Sequence, residues 1–297
     1  MKAAQFEYAR PETVTEACEI LVRDDNARII SGGQTLIPML AMRLARPSTL
    51  VDVYRIKSLK GVTEQGEAVV IGAATRQVEV ERSTLACQKL PLLARALPWV
   101  GHQPTRNRGT VGGSIANADP SAEIPLVAVT LGAEIEIANV DGETSMPADE
   151  FFIGAMVTSV MPGDCLTAVR FPVWSEERVG SAFHEVSARK SDFAFVSAAA
   201  QVAVDEEGIC RKIALGVGGL GDRPVSLDVS SAVGAKLDDA LIDDLVREAC
   251  RYLETYGDLH ASAEYRSRVA VALSSRSLHD AVADAGRPRP ANTEQAR

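Results

Sequence analysis

Two stretches of this 297-residue sequence bring together residue types that could do chemistry. In Arg28-Ile29-Ile30-Ser31-Gly32-Gly33-Gln34-Thr35-Leu36-Ile37-Pro38, a short apolar run delivers two adjacent glycines into a turn that opens a helical stretch. Adjacent glycines permit positive φ and close backbone approach, which a ring of amides around an anion requires. A helix start adds oriented N–H groups and partial positive charge. That is the physics of a pyrophosphate site without the spacing of a Rossmann turn; a plain strand-to-helix turn has the same signature. The second stretch runs from Arg106 to Glu123, with glycines at 109, 112 and 113 flanked by Thr110 and Ser114. Asn117, Asp119 and Glu123 supply polar groups that could bind ribose or ribityl hydroxyls.

Competing motifs fail on spacing. Gly216-Val217-Gly218-Gly219-Leu220-Gly221 matches G-x-G-x-x-G, but Asp222-Arg223-Pro224 follows where a phosphate-capping helix should begin. It reads as a glycine-rich turn. His184-Glu185 has Ala188, not histidine, at the zincin position, and Gly113-Ser114 lacks the flanking glycine of a nucleophile elbow. His102 reads as an ordinary loop histidine, and Ser187 to Ala194 as a charged hairpin.

Elements must position these residues. Thr13-Val14-Thr15-Glu16 reads as a capping box opening a helix. Strands are expected at Ala27–Ile30 and Leu50–Val53, with a helix from Leu36 to Leu44 between them. A β-rich run at Ala68–Ala73 leads to Ala74-Thr75-Arg76, and helical character returns from about Glu79 to Leu97. Glu134–Ile137 alternates with period two, Asp141-Gly142 signals a hairpin, and Val169–Pro172 closes this part. Beyond Glu176 the pattern becomes a meander (Ala182–Ala188, Val196–Val204, Ile209–Val217). A helix striped by Leu237, Leu241, Leu245, Ala249 and Leu253 follows, its aspartates at 238, 239, 243 and 244 read as a solvated face. The last residues, 286–297, read as a disordered tail.

Composition narrows the class. The 46% hydrophobic and 24% charged content is that of a globular chain. A net charge of -9 gives no basic stripe for nucleic acid. No run of apolar residues is long enough for membrane insertion, and the first residues carry no apolar leader. The five cysteines are too far apart for a disulfide framework or a metal ladder, so a cytoplasmic location is expected. Cys18 and Cys250 fall on apolar helical faces.

Ser31–Pro38, Arg106–Ser114 and Ala118–Glu123 closely resemble the FAD-binding medium subunit of molybdenum hydroxylases, the xanthine dehydrogenase and carbon monoxide dehydrogenase type. The resemblance extends from Phe6-Glu7-Tyr8 through Ala188–Ala194 to Ser262–Arg266 and the last helix. It implies an α+β fold: a two-lobed α/β FAD-binding domain over 1–176 (lobes about 1–57 and 58–176), then a C-terminal domain of a small antiparallel sheet with helices over 177–285. It implies FAD as cofactor, held by Ile30, Ser31, Gly32, Gly33, Gln34, Thr35 and Leu36, by Thr75, and by Thr110, Val111, Gly112, Gly113 and Ser114. The amides at 32, 33, 112 and 113 would neutralise the pyrophosphate. Glu123 would lie near the sugar portion, and Lys190 and Phe193 near the flavin end. Where relatives carry glycine this chain has Ser191, which restricts the turn beside the flavin.

By the same likeness, a large subunit carries the molybdenum cofactor and hydroxylates substrate, and a small subunit carries two [2Fe–2S] clusters. The medium subunit passes their electrons from FAD to an acceptor, within a dimer of heterotrimers. N-heteroaromatic compounds and carbon monoxide fit the pattern more closely than xanthine. Two alternatives stand beside this: a self-sufficient flavin oxidoreductase, for which no large substrate-binding insertion is visible, and a non-catalytic nucleotide-binding assembly module.

Overall fold

Three sheets, each with its own hydrogen-bond pattern, organise the computed structural model, which describes residues 2–287. Most of the expected tail, from 288 on, lies outside the described residues. The first sheet is small and parallel. It comprises β1 (Glu7–Ala9), α1 (Val14–Arg23), β2 (Arg28–Ile30), α2 (Leu36–Ala41) and β3 (Thr49–Asp52), with strand order β1-β3-β2. Thr13 Oγ1 accepts the Glu16 amide at 3.2 Å. The Glu16 carboxylate reaches back to the Glu12 amide at 2.8 Å, one residue before the expected box partner. Helix α1 buries Ala17, Cys18 and Leu21. Helix α2 stops three residues short of the expected Leu44 because Arg43 turns into left-handed backbone, φ 60°.

The second sheet is antiparallel and encloses most of the helices. The chain passes through β4 (Val62–Gln65), β5 (Ala68–Gly72), α3 (Gln77–Glu81), α4 (Thr84–Lys89), α5 (Pro91–Ala96), α6 (Gln103–Arg106), α7 (Val111–Asn117) and α8 (Glu123–Leu131). It continues through β6 (Glu134–Asn139), β7 (Gly142–Pro147), α9 (Ala148–Phe151), β8 (Phe152–Gly154), β9 (Val157–Thr158) and β10 (Cys165–Pro172). The order is β4-β5-β10-β6-β7, with β8 and β9 forming a separate pair. The helical run expected over 79–97 is broken twice. Ser83 turns out to cap α4, accepting the Ala86 amide at 3.2 Å, and Pro91 restarts the chain as α5. The hairpin at Asp141-Gly142 forms, its two amides donating to Asn139 Oδ1 at 2.9 and 3.2 Å.

The third sheet is the meander β11 (Arg178–Ser187), β12 (Ala194–Val204), β13 (Cys210–Gly218) and β14 (Val225–Leu227), followed by α10 (Asp239–Ala249) and α11 (Ala263–Ala285). Its two faces follow from strand alternation. Ala182, Val196, Ala198, Leu215 and Val217 pack in one core with Leu273 and Leu278 of α11. Phe183 and Ala199 point the other way and join the core of the second sheet with Ile124 and Leu126 of α8. Helix α8 is buried from Ile124 to Leu131, apolar all round, because it lies between two sheets. Gly216 and Gly218 belong to this contact: side chains there would meet Thr130, Leu126 and Ser197. The G-x-G-x-x-G match is thus a packing feature in and beyond a strand. The aspartates around α10 are exposed, as expected of a solvated face, while Asp238 also caps the helix and Asp243 accepts from Ser275 Oγ at 2.7 Å.

Gly180 of β11 has the backbone of Ala281 and Ala285 pressed against it, with no room for a Cβ. Gly180→Ala is expected to push α11 off the sheet and cost about 1–3 kcal/mol, read as a lowered midpoint of thermal unfolding.

Candidate cofactor site

The site begins where β2 runs out. The Val53 amide donates to Ile30 O at 3.1 Å, and the chain then leaves the sheet at Ser31. A Cβ on Gly32 would stand 2.5 Å from Arg108 O and 2.8 Å from Gly109 Cα, so only glycine fits where the two segments cross. Gly33 has φ +71°, the left-handed conformation glycine takes freely. The carbonyls are engaged: Gly33 O accepts the Ile37 amide at 3.0 Å, and Gly32 O the Gln34 side chain at 3.4 Å. The amides are not. From Ser31 through Leu36, no backbone N–H donates to any group among the described residues. Ser31 Oγ is likewise buried without a partner. Six consecutive free donors and an orphaned hydroxyl beside one cavity are the chemistry an anionic group satisfies.

The second segment is a helix start, not an open loop. Thr110 caps α7, its Oγ1 accepting the Gly113 amide at 3.1 Å. The Gly112 amide donates to Ala73 O at 2.9 Å, and its α-carbon is pressed so closely on Ala73 that no Cβ could enter. The expectation that the amides at 112 and 113 are free for pyrophosphate is therefore corrected: both are already bonded. Gly112 seats the helix against the end of β5. Gly113 is exposed to the cavity, with only the Thr110 hydroxyl close to its missing side chain. Helix α7 ends at Ala118, φ 49°, and the turn beyond it carries Asp119, which accepts the Ser121 amide at 2.9 Å.

Between these segments lies a cavity of about 670 Å³, within the range of cofactor sites. Its wall includes Ile30, Ser31, Gly32, Gly33, Gln34, Thr35 and Leu36 from the first segment. Thr110, Gly112, Gly113, Ser114, Asn117, Asp119 and Glu123 come from the second, and Phe193 from the turn between β11 and β12. Burial raises the Asp119 carboxyl above its usual range. Burial also pushes Glu123 up to about 7; its own backbone amide opposes this, Asp119 reinforces it and Arg106 opposes it. A half-protonated Glu123 could accept from or donate to a hydroxyl group.

Three expected residues lie off this wall. Thr75 is buried, and its Oγ1 is bonded to both the amide and carbonyl of Gly61 (2.9 and 3.1 Å). Val111 is a core residue. Lys190 sits exposed at the tip of the β11–β12 turn, while Ser191, Asp192 and Phe193 reach the cavity. Conversely, Gln77, His102, Thr105 and Asp164 line it and were not expected there. Gln77 and Asp164 carry no local signal, being single polar residues far from either glycine segment. His102, read as an ordinary loop histidine, stands just before α6 at the N-cap position, makes no side-chain capping bond, and lines the cavity. Away from the cavity lining, Arg266 of α11 ties the third sheet to the segment before that helix, donating to Phe195 O at 2.6 Å, to Gly219 O, and to Asp258 at 2.6 Å.

The model of the FAD binding domain in molybdopterin dehydrogenase matches residues 4–174, and that of the CO dehydrogenase flavoprotein C-terminal domain matches 181–281. The chain belongs to this family: it is an FAD-binding medium subunit of the molybdenum hydroxylases, and so a subunit of an oxidoreductase. It is 34% identical to the 6-hydroxypseudooxynicotine dehydrogenase complex subunit alpha of Paenarthrobacter nicotinovorans, over 95% of this chain and 96% of that one. Among solved structures it superposes on quinoline 2-oxidoreductase from Pseudomonas putida 86 with a TM-score of 0.91. That match has 32% identity and covers 97% of this chain and 100% of the other. Carbon monoxide dehydrogenase from Hydrogenophaga pseudoflava, in a form lacking the Mo-pyranopterin moiety of its molybdenum cofactor, gives 0.91 at 28% identity, covering 96% and 99%.

The distinct surroundings of the glycines predict distinct phenotypes. Gly113→Val is expected to fill the cavity and abolish FAD retention, at a cost of about 1 kcal/mol from displacing the Thr110 cap hydroxyl. Gly112→Ala should lower stability by about 1–3 kcal/mol through its clash with Ala73; flavin absorbance and thermal unfolding on the same samples separate the two. Ser191 holds φ 72°, a conformation that costs a side-chain-bearing residue about 1 kcal/mol. Ser191→Gly is expected to raise the unfolding midpoint slightly and leave flavin occupancy unchanged.

Proposed function

We propose that this chain is the electron-transfer subunit of a cytoplasmic molybdenum hydroxylase, binding FAD in the cavity between its two glycine segments. The observation that carries the reading is the run of unpartnered amides from Ser31 to Leu36, with the orphaned Ser31 hydroxyl, facing one side of that cavity. These donors would hold the pyrophosphate, and Asn117, Asp119 and Glu123 the sugar and ribityl hydroxyls. Ser114 and Gln34 line the passage between, and Phe193 covers the flavin end. When bound, FAD would supply the redox chemistry, accepting electrons from two [2Fe–2S] clusters of a small subunit and releasing them to an external acceptor. The chain's own residues position the cofactor and exclude water; none is required as nucleophile or general base.

The working division is 1–176 for FAD binding, in lobes of about 1–57 and 58–176, and 177–285 for the third sheet with its helices. Substrate choice belongs to a large molybdopterin-bearing subunit, in a dimer of heterotrimers. Relatives named for 6-hydroxypseudooxynicotine, quinoline and carbon monoxide share this fold, so chemically unlike substrates are served by similar medium chains. We place the substrate of this complex among N-heteroaromatic compounds or carbon monoxide. No helix among the described residues is long and apolar enough to cross a membrane.

The purified chain, saturated with FAD and freed of excess, is expected to show the two visible flavin bands. It should become reduced by substrate only when the molybdenum and iron–sulfur subunits are added. Absence of the bands would sink the FAD assignment; substrate reduction by the isolated chain would instead make it a self-sufficient oxidoreductase.

A further inference from the structure

One side chain touches both halves of the crossing between the two glycine segments. Arg76 stands between β5 and α3 and is half-buried. Its backbone runs antiparallel to Thr110 in an isolated bridge. There the Gln77 amide donates to Gly109 O at 2.9 Å and the Val111 amide to Thr75 O at 3.1 Å. The side chain follows the second segment back by two residues, and its Nη1 donates to Arg108 O. The guanidinium carbon lies 3.7 Å from the Tyr54 ring centroid. Tyr54 comes from the first sheet: it follows β3 by two residues, and its amide donates to Asp52 Oδ1 at 3.0 Å. The residue before it, Val53, is bonded to Ile30 O at the point where the donor turn leaves β2. Arg76 is thus clamped by a residue of the first sheet while it holds a carbonyl of the second segment.

That carbonyl is in a critical place. Arg108 O is the nearest atom to the missing side chain of Gly32, at 2.5 Å from where a Cβ would stand. Arg76 is its only hydrogen-bond partner among the described residues. Beside it runs the turn whose amides, from Ser31 to Leu36, donate to nothing. A carbonyl without a partner, set against amides without partners, pairs with them where the backbone allows. An amide used in that way is lost to a ligand.

The charge of Arg76 is not spent on an acid. Arg106 and Arg170 each sit 3.0 Å from a carboxylate, Glu81 and Glu136. No carboxylate among the described residues lies within ion-pair reach of Arg76. Its guanidinium is committed instead to the Tyr54 ring and the Arg108 carbonyl, two partners that fix its direction.

We propose that Arg76 is a positioning residue for the diphosphate end of the cofactor. By occupying Arg108 O it holds the Gly32 crossing closed and keeps that carbonyl from the amides of the donor turn, which stay available to the anion. The inference rests on the FAD reading of the cavity. Arg76 is not part of the cavity wall, so it acts through the carbonyl and not by touching the cofactor.

The test compares the full-length wild type with Arg76→Met and Arg76→Lys, by flavin fluorescence with FAD and with riboflavin, which has no diphosphate. Arg76→Met loses the donor and is expected to weaken FAD binding about tenfold, the worth of one charge-assisted hydrogen bond. Its riboflavin affinity should match wild type. Only one nitrogen of Arg76 donates to the carbonyl, so Arg76→Lys should restore most of the FAD affinity. The phosphorus NMR resonances of bound FAD should move in Arg76→Met and return in Arg76→Lys. The gap between wild type and Arg76→Met should persist in molar salt, because a misplaced backbone is not screened. Equal losses for FAD and riboflavin would make Arg76 a merely structural residue and overturn the proposal. Wild-type FAD affinity in Arg76→Met, or a gap that closes in salt, would overturn it as well. Should Arg76→Met not fold, Tyr54→Leu removes the clamp instead. It is expected to weaken FAD binding about threefold and leave riboflavin unaffected; wild-type behaviour there refutes the role. Failure of the wild type itself to bind FAD would strike the cofactor assignment.

Discussion

The site depends on one crossing of backbone over backbone, where Gly32 passes Arg108 and Gly109 at a separation that leaves no room for a Cβ. This contact joins the turn after the first sheet to the segment that leads into α7. Two further close approaches extend it: Gly109 against the Gln77 side chain, and Gly112 against Ala73. Arg76 reinforces the same junction, donating to Arg108 O while its guanidinium lies 3.7 Å from the Tyr54 ring centroid; Lys60 lies 3.6 Å from that centroid. Packed backbones do not deform gradually. The cavity between the two segments therefore keeps its shape because its floor is a set of contacts that admit no slack.

A consequence of that crossing is the state of the amides. After Ile30 the chain has left its strand, and α2 does not begin until Leu36, so the intervening N–H groups have no ladder or helix to join. None of these donors finds a partner among the described residues, although Gly32 is buried and Ser31, Gly33 and Leu36 are half-buried. The Gly32 crossing fixes the turn so that they cannot relax toward partners elsewhere in the chain. In α7 the opposite holds: the Thr110 cap and the Ala73 carbonyl already consume the comparable amides. The two glycine pairs look alike in sequence and do different work. The first exposes donors, and the second allows a helix to sit close enough to form the other wall.

That difference marks the limit of what sequence conveys here. The strands around the first turn, the Asp141-Gly142 hairpin and the meander all follow from period-two patterning and turn chemistry acting locally. Glycine at 112 was legible as a position needing no side chain, but whether a ligand or Ala73 occupies the space is a tertiary fact. Thr75 was drawn toward the site by its neighbours, whereas its hydroxyl ties down Gly61. Gln77 and Asp164 reach the cavity from distant elements with no local pattern to announce them. Helix breaks at Ser83 and Pro91 were readable from capping and proline rules; the apolar period running across them hid the breaks.

Charge decides how such a cavity could accept an anion at all. The chain carries a net charge of -9, and the cavity wall itself holds Asp119, Glu123, Asp164 and Asp192 against the single guanidinium of Arg28. A pyrophosphate placed among those carboxylates would be repelled; fixed dipoles at the other end attract it without adding a mobile charge. The free amides from Ser31 to Leu36 and the acidic cluster around Glu123 thus divide the cavity into a donor end and an acceptor end. Phosphate oxygens suit the first, and hydroxyl groups, which donate to carboxylates, suit the second. Under the FAD reading this polarity orients the cofactor by chemistry alone.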